Sequence, residues 1–127
     1  MDIIISHASE DPIYTQIVNQ IRHNILNGQL NAGDTLPSIR QLAKDLQVSV
    51  ITTKRAYEEL EKEKLIDSVV GKGSFVSGAN KTFIREQRMK LLEEKIVEII
   101  RESKDLGMSE SDLLNHLRLL FEEEQLR

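Results

Sequence analysis

The chain has 127 residues, 39% of them hydrophobic and 30% charged, with a net charge of −4, three His and no Cys. That length holds one domain, or one small domain with an appendage, and the lack of cysteine removes disulfides and thiolate metal sites and fits a reducing cytoplasm. No run approaches the ~20 apolar residues that span a bilayer, and Met1 to Ser9 lack the basic start and apolar stretch of a signal peptide, so no membrane partner is expected.

Ile3-Ile4-Ile5 suits either an edge strand or an anchor for an N-terminal arm. Asp11-Pro12 reads as an N-cap followed by proline at the first helical position. Ile13, Ile17, Ile21 and Ile25, joined by Tyr14 and Val18, predict an amphipathic helix from Pro12 to about Asn27, with Gly28 stopping it at C′. Asn31-Ala32-Gly33-Asp34 is a turn, and Thr35-Leu36 a brief extended piece before Pro37. Ser38 and Gln41 make a capping box for a short helix with Ile39, Leu42, Ala43 and Leu46 inward. After a turn at Gln47-Val48, Ser49 caps a second helix, running to about Glu63, whose Thr53, Ala56, Tyr57 and Leu60 face the core. Leu65-Ile66 and Val69-Val70 lead into a tight turn at Gly71-Lys72-Gly73, and Ser74 to Val76 returns. Two glycines around one lysine suit a hairpin tip with positive φ and an outward side chain.

Ser77-Gly78-Ala79-Asn80 is the expected linker, dividing the chain into residues 1–77 and 78–127. Met89, Leu92, Ile96 and Ile99, widened by Leu91 and Ile100, stripe a long helix from Thr82 to about Asp105. Gly107 breaks it, and Ser109-Glu110-Ser111-Asp112 caps a last helix striped by Leu113, Leu114, Leu117, Leu120 and Phe121, with a frayed acidic tail. Two helices alone cannot bury both stripes, and the same pair from a second copy is the cheapest partner. These ten residues, Leu91 aside, are the candidate dimerisation set. The fold class expected is mainly α with a small β-hairpin: an N-terminal helix-turn-helix with its hairpin, then two C-terminal helices.

A helix-turn-helix of this kind can set its second helix in the DNA major groove while the hairpin reaches an adjacent groove. Ser49, Val50, Ile51, Thr52, Lys54 and Arg55 lie on the first turns of that helix. Val50 and Ile51 could meet a thymine methyl or plug against the preceding helix; Lys54 and Arg55 could contact phosphates or be solvated charges. Arg40 could clamp a phosphate or reach a guanine, or pair with Asp45 or Glu61. Ser38 is a cap whose amide can also meet phosphate. Lys72, between Gly71 and Gly73, suits a probe of the minor groove or backbone, or an ordinary turn lysine. Net charge opposes this reading mildly: residues 1–80 hold eight Lys/Arg against ten Asp/Glu. Local distribution counts for more, because screening limits phosphate contacts to ~8–10 Å. Arg40 to Arg55 holds four basic residues and one acidic one, ahead of the acidic run Glu58 to Glu63. His7, His23 and His116 do not cluster, so no metal is expected, and neither a cofactor loop nor a nucleophile–base set is present to suggest an enzyme.

Pro12-Ile13-Tyr14, Gly28, Gly33-Asp34-x-Leu36-Pro37-Ser38-x-Arg40-x-Leu42-Ala43, Val48-Ser49, Arg55-Ala56-Tyr57, Leu60 and Gly71-Lys72-Gly73-Ser74-Phe75-Val76 resemble the winged-helix domain of the GntR family of bacterial transcription regulators. The resemblance spans Asp11 to Val76; the two-helix tail resembles the YtrA-type subfamily. It implies a cytoplasmic homodimer held by the C-terminal helices, on a palindromic double-stranded operator, with DNA contacts at Arg40, Val50, Ile51, Thr52, Lys54, Gly71 and Lys72. A chain this small has little surface for recruiting polymerase, so a repressor of its own operon is expected, and YtrA-type regulators are often associated with ABC-transporter genes. A small-molecule effector would be an additional partner, although no polar pocket is obvious. Two positions depart from the family: Val50 stands where a polar or basic residue is common, and Lys64 where a glycine commonly ends the helix. A winged-helix protein–protein adaptor without DNA is the competing reading, which the basic run opposes.

Overall fold

The structure, a computed structural model, describes residues 1–126. In chain order it has α1 (Ile13–Leu26), α2 (Ile39–Leu46), α3 (Val50–Lys62), β1 (Ile66–Val69), β2 (Gly73–Val76), α4 (Lys81–Asp105) and α5 (Glu110–Gln125). Contacts divide it into two compact units, Met1–Arg88 and the remainder from Met89. Among the described residues no helix is long and apolar enough to cross a membrane.

The first unit is built on α3. Its Ala56, Tyr57 and Leu60 are buried together with Ile17, Val18, Ile21 and Ile25 of α1, Leu42 of α2, and Leu36, Leu65, Ile66 and Val76. The four-residue spacing on α1 predicted this stripe. Its start differs from expectation. Pro12, not Asp11, is the N-cap, it is extended (ψ 150°), and no side chain caps the helix. The Asp11 carbonyl instead accepts from the Gln16 side chain at 2.9 Å.

The N-terminal run forms no strand. Gln20 uses its carboxamide as a strand partner would, accepting from Ile4 N–H (2.8 Å) and donating to Ile4 C=O (2.7 Å). Gln16, one turn earlier, does the same to Ser6 (2.8 and 2.9 Å), while Ile3 and Ile5 pack against the core. Two amides at i and i+4 face the same side of a helix and match the repeat of an extended chain. The run is therefore an anchored arm.

Both helices of the helix-turn-helix end with a side-chain-bearing residue in left-handed conformation. Gln47 (φ 56°) and Lys64 (φ 62°) follow α2 and α3. At each, its own N–H and the next one close on the last turn: Gln47 to Lys44 C=O (3.2 Å) and Val48 to Ala43 C=O (3.0 Å), then Lys64 to Glu61 C=O (2.9 Å) and Leu65 to Leu60 C=O (3.0 Å). These paired bonds satisfy helix-end carbonyls that would otherwise be orphaned. At the α2 start Ser38 Oγ accepts from Gln41 N–H at 3.0 Å, but the reciprocal half of the expected capping box is missing. Gln41 Nε2 instead reaches Asp45 Oδ1, one turn on, at 2.7 Å.

β1 and β2 are antiparallel, with Ile66 opposite Val76, Ser68 opposite Ser74 and Val69 opposite Gly73. Gly71 (φ 82°) and Gly73 (φ 90°) take the positive φ that the tip requires. The extended piece at Thr35 bridges Phe75, and Leu36 N–H donates to Ser74 C=O at 2.9 Å. The expected linker is tied down: Ser77 is buried, its N–H donates to Leu65 C=O at 2.9 Å, and Asn80 Nδ2 donates to Lys64 C=O.

The second unit holds the rest of α4 and α5. Gly107 (φ 76°) ends α4, as predicted. Ser109 and Asp112 form a complete capping box at α5. The acidic tail is helical through Gln125, since glutamates are good helix formers. Met89, Leu92, Ile96, Ile99, Ile100, Leu114, Leu117, Leu120 and Phe121 are all exposed, and Leu113 is half-buried.

Candidate nucleic-acid interface

α3 carries two opposed faces. Thr53, Ala56, Tyr57 and Leu60 bury one of them, which leaves the start of the helix to present Val50, Ile51, Lys54 and Arg55 outward. Ile51 is 80% exposed, so it does not plug against α2. Val50 is exposed as well. Ser49 caps the helix by accepting from Thr52 N–H at 3.0 Å, and its own hydroxyl donates to Thr52 Oγ1 at 2.7 Å. Thr52 is thereby fixed in rotamer while its own hydroxyl proton stays free to donate.

The basic side chains fall into three situations. Arg40, exposed at the start of α2, has neither expected ion-pair partner: Asp45 accepts from Gln41, and Glu61 from Ser68. Lys54 lies 3.9 Å from Glu58 across one turn, both side chains well exposed, a pairing worth little in water. Arg55 stacks its guanidinium 3.9 Å over the Tyr14 ring of α1. Stacking occupies the face of the guanidinium and leaves its in-plane N–H donors available. No local sequence signal pairs Tyr14 with Arg55, which lie on different helices.

Lys72 is exposed at the hairpin tip, where its N–H closes the turn on Val69 C=O at 2.9 Å. Beside it Val70 is fully exposed, a residue that the pattern assigned to the strand leading into the turn. A shallow groove runs between α3 and the hairpin, bordered by Ile39, Lys54, Glu58, Glu61, Val69 and Val70.

Hydrogen bonds lock α2, α3 and the hairpin into one frame. Buried Tyr57 of α3 donates its hydroxyl to Pro37 C=O at 2.7 Å, just before the Ser38 cap of α2. Burial pushes the Tyr57 phenol pKa up, so it remains a donor. One turn later Glu61 accepts from Ser68 Oγ of β1, which sits 2.7 Å from Ser74 Oγ of β2. Ser74 C=O then accepts from Leu36 N–H, next to Pro37. A partly buried bidentate pair, Arg22 to Glu63 at 2.7 and 2.9 Å, ties α3 to α1 as well. Among the described residues no His, Asp or Glu group is arranged to hold a metal.

The arrangement of a capped, outward-facing helix beside a tethered hairpin has relatives. Residues 13–76 match the model of the bacterial regulatory proteins, gntR family. The chain is 35% identical over 106 residues to the HTH-type transcriptional repressor YtrA of Bacillus subtilis (strain 168), covering 84% of this chain and 82% of that protein. It is similar in structure to YtrA from Sulfolobus acidocaldarius, a GntR-family transcription factor, with a TM-score of 0.57, 37% identity and coverage of 72% of this chain and 97% of that one. It is also similar to AraR(DBD) in complex with operator ORX1, with a TM-score of 0.52, 29% identity and coverage of 58% and 92%.

Proposed function

The chain belongs to the GntR family of bacterial regulatory proteins, as a DNA-binding transcription regulator with a winged helix-turn-helix that groups with YtrA-type members, and from that premise we propose that it is a cytoplasmic homodimeric repressor acting on a palindromic operator. Residues 1–77 bind DNA and residues 78–127 dimerise. Ser38, Arg40, Ser49, Val50, Ile51, Thr52, Lys54, Arg55, Gly71 and Lys72 form the DNA face. The operator lies before its own operon, and the regulated genes include ABC-transporter genes.

One observation carries this reading: α3 exposes Val50, Ile51 and Lys54 at its start while the opposite face is buried and Tyr57 is bonded to the α2 entry. A soluble surface gains nothing from an exposed β-branched pair there, whereas a major groove offers thymine methyls. The AraR(DBD) relative bound to its operator supports the same use of the fold. With Val50 apolar, polar readout falls to Arg40, Thr52 and Lys54. The tail supports dimerisation because, among the described residues, its apolar stripes are exposed.

The test is a gel shift with the DNA upstream of the chain's own gene. Arg40→Ala and Lys54→Ala should each weaken binding by about 1–3 kcal/mol where the contact is to a base. Wild-type affinity of both variants for every duplex at low salt would refute the assignment.

A further inference from the structure

Two carboxylates border the groove between α3 and the hairpin, where each would repel an approaching phosphate. They differ in what they hold. Among the described residues the Glu58 side chain makes only the long, exposed contact with Lys54. Glu61 accepts a charge-assisted bond from Ser68, and among the described residues no other hairpin side chain is hydrogen-bonded to α3.

We propose that Glu61 is a positioning residue for the hairpin: through Ser68 and Ser74 its carboxylate sets the angle at which Lys72 meets duplex DNA. This rests on the DNA-binding reading above. A carboxylate only accepts, so Ser68 must donate to Glu61, and Ser74 in turn donates to Ser68. The chain of bonds therefore has one direction and ends on the charged group. Ser68 and Ser74 are a cross-strand pair, one register step from Val69 and Gly73, the last pair before the tip. Ser74 C=O is held by Leu36 N–H, so the far end of the relay is anchored too. A two-stranded ribbon is not rigid by itself, and a tether close to its tip decides where the tip points.

The experiment measures fluorescence anisotropy on a duplex selected by the wild-type chain from a random pool, with melting curves for each variant. Glu61→Ala and Ser68→Ala should each weaken binding about fivefold to tenfold while remaining folded at the assay temperature. Glu61→Gln still accepts from Ser68 without the charge, and should bind at least as tightly as wild type. Glu58→Gln should bind more tightly, since it removes a repelling charge and releases Lys54. The double variant Glu61→Ala with Lys72→Ala should bind no worse than Lys72→Ala alone. Equal or tighter binding by Glu61→Ala overturns the proposal, as do fully multiplying losses in the double variant or a silent Lys72→Ala. In those cases wild-type binding still stands. If the wild type selects no duplex, both readings fall together.

Discussion

At the scale of single residues, Tyr57 links α3 to the start of α2. Replacing it by Phe keeps the core volume and leaves Pro37 C=O without its 2.7 Å donor. Tyr57→Phe should lower stability by about 1–2 kcal/mol in urea titrations. Burial raises the phenol pKa, and the sign follows: the stability linked to the neutral phenol is full below the ordinary tyrosine value of about 10 and declines as pH rises from there. Lys64 makes the opposite case, a side chain in a conformation that favours glycine. Lys64→Gly should stabilise the first unit by about 0.5–1 kcal/mol, because relief of left-handed strain exceeds the added unfolded-state entropy. An unchanged or lower urea midpoint would show that the lysine is not strained there.

At the scale of elements, the serine caps divide by what sits three residues on. Ser38 and Ser49 cap with one side-chain bond to a backbone N–H, whereas Ser109 and Asp112 bond reciprocally at 3.0 and 3.1 Å. The Ser109 backbone N–H, followed by its hydroxyl, holds the Asp112 carboxyl below its usual pKa. A depressed folded pKa means the cap's contribution is present above the unfolded value of about 3.9 and is lost as pH falls through the lower one. Helicity by circular dichroism should therefore decline in acid, and Asp112→Asn should remove that component of the decline. An acid titration identical for Asp112→Asn and wild type would exclude this cap as its source.

At the scale of the whole molecule, the described residues of α4 and α5 leave apolar stripes exposed. Ile96, Ile99, Leu117 and Phe121 are exposed on α4 and α5, the second of which starts at a complete capping box. On the dimer reading, Ile96→Asp with Leu117→Asp should give a monomer by sedimentation. It should lose about 100-fold or more in affinity for a palindromic duplex while keeping half-site binding, since the loss is of linkage between two sites. A double variant that stays dimeric would move the interface elsewhere.

The elements were legible in the sequence because their signals are local. Isoleucines every fourth residue, Ser49 before a helix, Gly107 after one, and glycines around Lys72 each act within a turn or two of backbone. The helix-turn-helix and the hairpin follow from such patterns, and with them the family, whereas the sequence left open whether Ile51 is exposed or packed against α2. What the sequence could not determine is every link that joins distant segments. Gln16 and Gln20 hold an arm that reads equally well as a strand. Arg55 rests on Tyr14, Tyr57 reaches Pro37, and Glu61 is tied to the hairpin rather than to Arg40. Periodicity tells which face of an element turns inward. Which polar groups meet across the gap depends on how α1, α3 and the hairpin pack in three dimensions, because the partners are far apart in the chain.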